Sequence, residues 1–175
     1  MTTFLIIGNI ISLFGAVFTV LSALSTTRRR IYGYQTIQCL ILAFGSIFFE
    51  SYSGVVTFLI CTVRNFELAR DTFSNKKFIL CSALMVVLGA AVNTKGLLGL
   101  VPVIATLVYN IGCVKCRREL PIKTNMFINL ALWSAYDFVI LDLVSAIIDS
   151  VTTAVTLAAM LRLIRANRSG KKNRC

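Results

Sequence analysis

Seven apolar segments, most of them close to the length of a bilayer crossing, constrain this chain more than any other feature. They run over 4–25, 34–49, 53–69, 78–92, 97–114, 124–138 and 143–164. A helix needs roughly 20 apolar residues to cross the hydrocarbon layer. Inside that layer every backbone N–H and C=O must find its partner within the segment, which leaves helices or a closed barrel. Blocks of this length predict an all-α integral membrane protein. The composition agrees: 57% of the 175 residues are hydrophobic and 14% are charged, where soluble domains carry about 25% charged residues. The second, fourth and sixth segments are short and predict little tilt. No basic stretch precedes the first, so it reads as a retained helix and not a cleaved signal.

The charge pattern gives an orientation. The net charge is +11, from 18 Lys and Arg against 7 Asp and Glu. Arg28, Arg29 and Arg30 follow the first segment, and Arg70, Lys76 and Lys77 follow the third. Lys115, Arg117, Arg118 and Lys123 follow the fifth. Arg162, Arg165, Arg168, Lys171, Lys172 and Arg174 end the chain. Every basic residue except Lys95 and Arg64 therefore falls on one side, which the positive-inside rule assigns to the cytoplasm. With seven spans, the N-terminus lies outside and the C-terminus in the cytoplasm. Topology accounts for the basic charge, so nucleic acid is not expected as a partner. The outer connections, at 50–52, 93–96 and 139–142, leave no room for a soluble domain. The tail 167–175 is polar and is expected to be disordered.

Histidine is absent, which removes the commonest metal ligand and the usual neutral-pH acid or base. Cysteines within apolar segments behave as small hydrophobes. Cys113 and Cys116 form a C-x-x-C, which a thiol enzyme would use as a redox pair. No second pair completes a metal site. No cofactor and no metal are expected.

The two halves look alike at an offset of 88 positions. Arg29 and Arg30 fall on Arg117 and Arg118, Thr36 on Thr124, and Leu42 and Ala43 on Leu130 and Ala131. Ser46 falls on Ser134, Thr57 on Ser145 and Val63 on Val151. Three helices, a linker helix and three more helices give two parallel repeats, an arrangement found in transporters. The expected organisation is a first repeat over 1–72, a linker helix over 73–95, a second repeat over 96–166 and a basic tail over 167–175.

Several of these residues resemble a known family. They are the run Leu100-Val101-Pro102-Val103-Ile104-Ala105-Thr106, the basic stretch from Lys115 to Arg118, Trp133 and Asp149. In the first half they are Arg28 to Arg30 and Arg64. Over roughly 28–165 the chain resembles the bacterial inner-membrane YgjV family, which is similar in turn to the SWEET and PQ-loop transporters. The resemblance implies a 3+1+3 helical fold and transport of a small solute. The sugar-transporting relatives carry prolines in both halves. Here the prolines are Pro102 and Pro121, and Phe14 stands where the 88-residue offset puts the mate of Pro102. Those relatives also touch substrate with an Asn on the third helix of each half. Asn65 stands near that place in the first half, while the seventh helix offers Asp149 and Thr152. These departures point away from sugar.

Arg64 and Asp149 are the informative pair. At 1.5 Å per residue, Arg64 lies roughly 16 Å and Asp149 roughly 9 Å below the outer ends of their segments. Ionisable groups at such depth cost at least about 2.5–3.5 kcal/mol and need a partner or a wet cavity. One reading is a polar site for a charged or zwitterionic solute. The alternative is a direct Arg64–Asp149 ion pair locking the halves together. The expected site is Arg64, Asn65, Asp149, Thr152 and Trp133, with Pro102 as a hinge. The expected function is facilitative transport of a small polar or charged metabolite, and not enzyme catalysis. Membrane scaffolding and a thiol enzyme using Cys113/Cys116 are the competing readings. The partners are the lipid bilayer and a small polar solute; a homo-oligomer is left open.

Overall fold

The computed structural model describes residues 3–115 and 119–172, all of it helix and short turns with no strand among them. The helices are α1 (Thr3–Leu24), α2 (Arg28–Phe48), α3 (Tyr52–Ala69), α4 (Asn75–Ala91), α5 (Val101–Lys115), α6 (Glu119–Ile140) and α7 (Leu143–Lys172). A 3-10 turn, Leu98–Leu100, leads into α5. By length and composition, Thr3–Leu24, Arg28–Phe48 and Leu143–Arg165 each suffice to cross a membrane, and Leu98–Cys113 is a shorter apolar helix. At 22 residues α6 is as long as α1, but it carries Glu119, Lys123 and Asp137.

The burial pattern is the reverse of a soluble protein's. On α1 the buried positions are Gly8, Asn9, Ser12, Gly15, Ala16, Thr19, Ser22 and Ala23. The exposed face of the same helix carries Phe4, Ile10, Leu13, Phe14 and Val17, each more than half exposed. Small and polar groups point in and large apolar ones point out, which is stable only where lipid surrounds the helix.

Helix packing closes a ring. In it α1 packs on α2, α2 on α3, α3 on α5, α5 on α6, α6 on α7, and α7 back on α1. Outside the ring lies α4, against α3 and α5, with Met85 and Gly89 as its buried residues. Gly89 permits that approach, because a Cβ there would stand 2.6 Å from Val103 Cγ2.

Several boundaries differ from the sequence expectation. Arg28 begins α2 and Glu119 begins α6, so Arg28–Arg30 and Lys123 belong to helices and not to loops. Pro121, expected in a loop, lies in the first turn of α6, where a missing N–H costs nothing. Pro102 lies in the first turn of α5 for the same reason, so it makes no mid-helix kink. The last helix continues to Lys172, past the expected end at 164. The expected redox partner Cys116 lies outside the described residues, as do Arg117, Arg118 and 173–175.

Sharp turns join the paired helices at one end. Ser51 N donates to Ser46 O, and Asp142 N to Asp137 O, each at 3.0 Å. These six-residue closures carry Glu50 and Leu141 in the left-handed region, at φ 54° and 65°. They also fix a register. Ser46 and Asp137, Ser51 and Asp142, and Tyr52 and Leu143 each stand 91 positions apart. Buried positions follow the same spacing: Cys39 with Leu130, Leu42 with Trp133, Cys61 with Thr152, Asn65 with Thr156. These positions recur at a spacing of 91, where the sequence expectation is 88. A handful of matches among apolar residues arises by chance at several offsets, whereas helix ends and turn closures do not. With this register the counterpart of Asp149 is Phe58 and not Cys61, and that of Pro102 is Ile11 and not Phe14.

Candidate functional site

A cavity of about 50 Å³ lies inside the ring. Gln35, Gln38, Cys39, Leu42 and Ser46 of α2 line it, with Phe58, Cys61, Arg64 and Asn65 of α3 and Thr106 and Tyr109 of α5. Met126, Asn129, Leu130, Trp133 and Asp137 of α6 complete the wall, together with Asp142, Ser145 and Asp149 at the start of α7. A single water needs about 10–15 Å³ by this measure, so the volume suits a few waters or a very small solute.

Arg64 is 2% exposed and is held by neutral groups alone. Its Nε and Nη2 donate to Asn65 Oδ1 at 3.0 and 2.8 Å, and its Nη1 donates to Asn110 Oδ1 at 2.5 Å. The guanidinium lies 4.9 Å from the Tyr109 ring centroid. Behind these residues, Asn65 Nδ2 donates to Cys39 Sγ and Asn110 Nδ2 to Ser82 Oγ. Four helices thus orient one side chain. A guanidinium has five N–H donors; three bonds are made, and the two remaining N–H groups have no acceptor among the described residues. No carboxylate lies within 4 Å of Arg64, so the direct Arg64–Asp149 ion pair is absent.

Three carboxylates gather toward the other end. Asp142 accepts from Ser12 Oγ at 2.8 Å and, through its other oxygen, from Ser145 N at 3.1 Å, which caps α7. Asp137 and Asp149 are 5% and 7% exposed, and both face the cavity. Among the described residues no group donates to either carboxyl. Trp133 stacks on Phe58 at 4.5 Å between ring centroids and meets Tyr136 edge-on at 6.0 Å. It forms a wall of the cavity and does not anchor at the membrane surface.

Of the residues expected at the site, Arg64, Asn65, Trp133 and Asp149 meet at this cavity. Thr152 does not line it; its hydroxyl is buried one turn beyond Asp149, like that of Thr156, without a hydrogen-bond partner. Pro102 is not a lining residue either. The sequence reading missed Asp137, Gln35 and Tyr109. Asn129, Trp133 and Asp137 follow each other at four-residue spacing on α6, a polar stripe that marks a cavity face once the helix is seen to run to Ile140.

Hydrogen bonds across the ring close the cavity at both ends. At the acidic end Asn9 of α1 donates to Leu141 O and accepts from Val144 N, and Ser51 pairs with Tyr136 Oη at 2.8 Å. At the basic end Lys123 Nζ of α6 donates to Ala23 O in the last turn of α1 and to Ser25 O just past it, at 2.8 and 3.1 Å. Tyr32 of α2 donates to Cys113 Sγ of α5, and Tyr109 of α5 to Gln35 Oε1 of α2.

Among the described residues, six helices ring a charged internal cavity and a seventh lies outside them, and their lipid-facing exteriors define a multi-pass membrane protein with a buried polar site. The chain belongs to the family described as bacterial inner membrane protein, Imp-YgjV, whose model matches residues 6–167. It is accordingly a multi-pass protein of the bacterial inner membrane. No curated protein and no solved structure matches it.

Proposed function

We propose that the protein is a facilitative carrier that moves a small polar or charged metabolite through the central cavity by alternating access. The observation that carries this reading is a cation, Arg64, and two carboxylates, Asp137 and Asp149, facing one closed cavity without pairing to each other. Charges buried for structure alone are normally paired, because an isolated one costs several kcal/mol. A cavity that opens to water in turn on each side gives these groups their solvation.

The ring supports a two-part carrier. Taking α1–α3 as one half and α5–α7 as the other, every main contact in the ring maps onto another when the halves are exchanged. On this reading α4 is the linker of a 3+1+3 parallel repeat, with the N-terminus outside and the C-terminus in the cytoplasm. The cross-ring hydrogen bonds at each end are the gates. Pro102, where the 3-10 turn meets α5, is the hinge. Arg64, Asn65, Asp149 and Trp133 touch solute. The chain carries out no covalent chemistry: Cys113 is buried and serves as an acceptor for Tyr32.

The test is reconstitution into vesicles and influx of a broad panel of labelled polar solutes, for the wild type and for Arg64→Ala. Influx of at least one solute above empty vesicles, lost in Arg64→Ala, is expected. Influx no greater than that of empty vesicles for every solute overturns the carrier reading. Equal influx in the two proteins overturns the assignment of Arg64.

A further inference from the structure

The charges at this cavity are segregated. Arg64 belongs to α3 in the first half, while Asp137 and Asp149 belong to α6 and α7 in the second. At the 91-residue spacing their counterparts are uncharged: Val155 for Arg64, Ser46 for Asp137 and Phe58 for Asp149. The cavity is therefore polar in the electrical sense, positive at one end and negative at the other.

The gap between the two ends has a scale. Tyr109 and Asn110, which hold the guanidinium, stand eight and nine residues into α5, about 12–14 Å from its start. Asp149 stands six residues into α7, about 9 Å from its start, with its side chain tilted back toward the helix N-terminus. Taking the starts of α5 and α7 as level, the two groups stand about 3–5 Å apart along the ring axis. No ion pair joins Arg64 to Asp149, and the interval is on the scale of the charge separation in a small amino acid.

The chemistry at each end is equally specific. Two guanidinium N–H groups are free to make a forked pair with a carboxylate or sulfonate. Two carboxyl groups without protein donors suit an ammonium, which brings three N–H donors and has no acceptor. Among the described residues no cluster of acids is arranged to hold a metal ion. Resting on the carrier reading above, we propose that the cavity takes a small zwitterion, with its anionic group on Arg64 and its ammonium on Asp149 and Asp137. A solute with a single charge leaves the opposite end buried and unpaired, so it is rejected. A zwitterion pairs with both halves at once, and its binding draws them together.

The experiment measures influx of glycine, β-alanine and taurine into vesicles holding the full-length protein. The comparison solutes are isethionate, choline and erythritol, which are an anion, a cation and a neutral polyol of similar size. Influx of at least one zwitterion is expected to exceed all three comparison solutes tenfold or more. Asp149→Asn is expected to lose zwitterion influx at least tenfold and to gain isethionate influx. Arg64→Gln is expected to lose it likewise and to gain choline influx. A role in folding alone does not produce opposite gains. If either variant loses its single symmetric elution peak in detergent, the wild-type ranking decides. Isethionate, choline or erythritol entering as fast as the zwitterions, or faster, overturns this inference and leaves the carrier reading standing. Entry of none of the six solutes above empty vesicles overturns this inference, and the broad panel then decides the carrier reading.

Discussion

Replacing Arg64 by methionine separates a site residue from a structural tie, and the structure supplies the magnitudes. The substitution keeps most of the aliphatic volume and removes the guanidinium. It leaves Asn65 Oδ1 and Asn110 Oδ1, which accept from Arg64, without their donor. Each orphaned buried acceptor costs about 1–3 kcal/mol, so the loss is about 2–6 kcal/mol. Against it stands the relief of a buried charge, at least about 2.5–3.5 kcal/mol on insertion scales. The two nearly offset each other, and Arg64→Met is expected to destabilise the fold by no more than about 3 kcal/mol. For a chain of this size that is a fall of about 6–12 °C in unfolding midpoint at most. Trp133 is the single tryptophan and lines the cavity, so its emission in detergent reports both the midpoint and the local packing. Influx, measured in parallel, is expected to fall more than tenfold. A variant that still transports at the wild-type rate, or one that does not fold at any temperature, refutes the reasoning.

Further outcomes follow from single contacts. Lys123→Met removes two charge-assisted bonds to Ala23 O and Ser25 O, each worth about 1.5–3 kcal/mol before the relief of desolvation; a net loss of about 2 kcal/mol is expected in thermal unfolding. Leu141 holds φ 65° and is 52% exposed; Leu141→Gly relieves the left-handed strain and is expected to raise stability by up to about 1 kcal/mol on the same measurement. Gly89→Leu forces α4 away from Val103 and is expected to cost about 1–3 kcal/mol. Faster proteolysis of the stretch after Ala91 is the readout that places the damage at α4.

Much of the fold is legible in the sequence because hydrocarbon imposes a demand that hydropathy records directly. The seven apolar blocks each correspond to a helix. The ends of α2 and α6 were not legible, because their first turns are basic or polar and read as loops. Lys123 sits inside a helix because the carbonyls at the end of α1 receive its ammonium, a fact of packing that periodicity does not encode. Arg64 and Asp149 stood out by their depth, and Trp133 through the family resemblance. Asp137 did not, because a helix taken to end at 138 puts it at the membrane surface, whereas α6 runs on to Ile140. The matching turn closures at Ser51 and Asp142 were illegible for a related reason: backbone hydrogen bonds make them, not side-chain identity.

One helix stands apart from the rest, and its position makes the two sides of the molecule unequal. Where α3 meets α5, α4 lies over the join, whereas no further helix covers the join between α7 and α1. The molecule is built like a book, with a spine along the first seam and a fore-edge along the second. At the fore-edge Asn9 and Ser12 clasp the start of α7. On the carrier reading this is the seam expected to part, and the thickness and order of the lipid against it are expected to set how readily it opens.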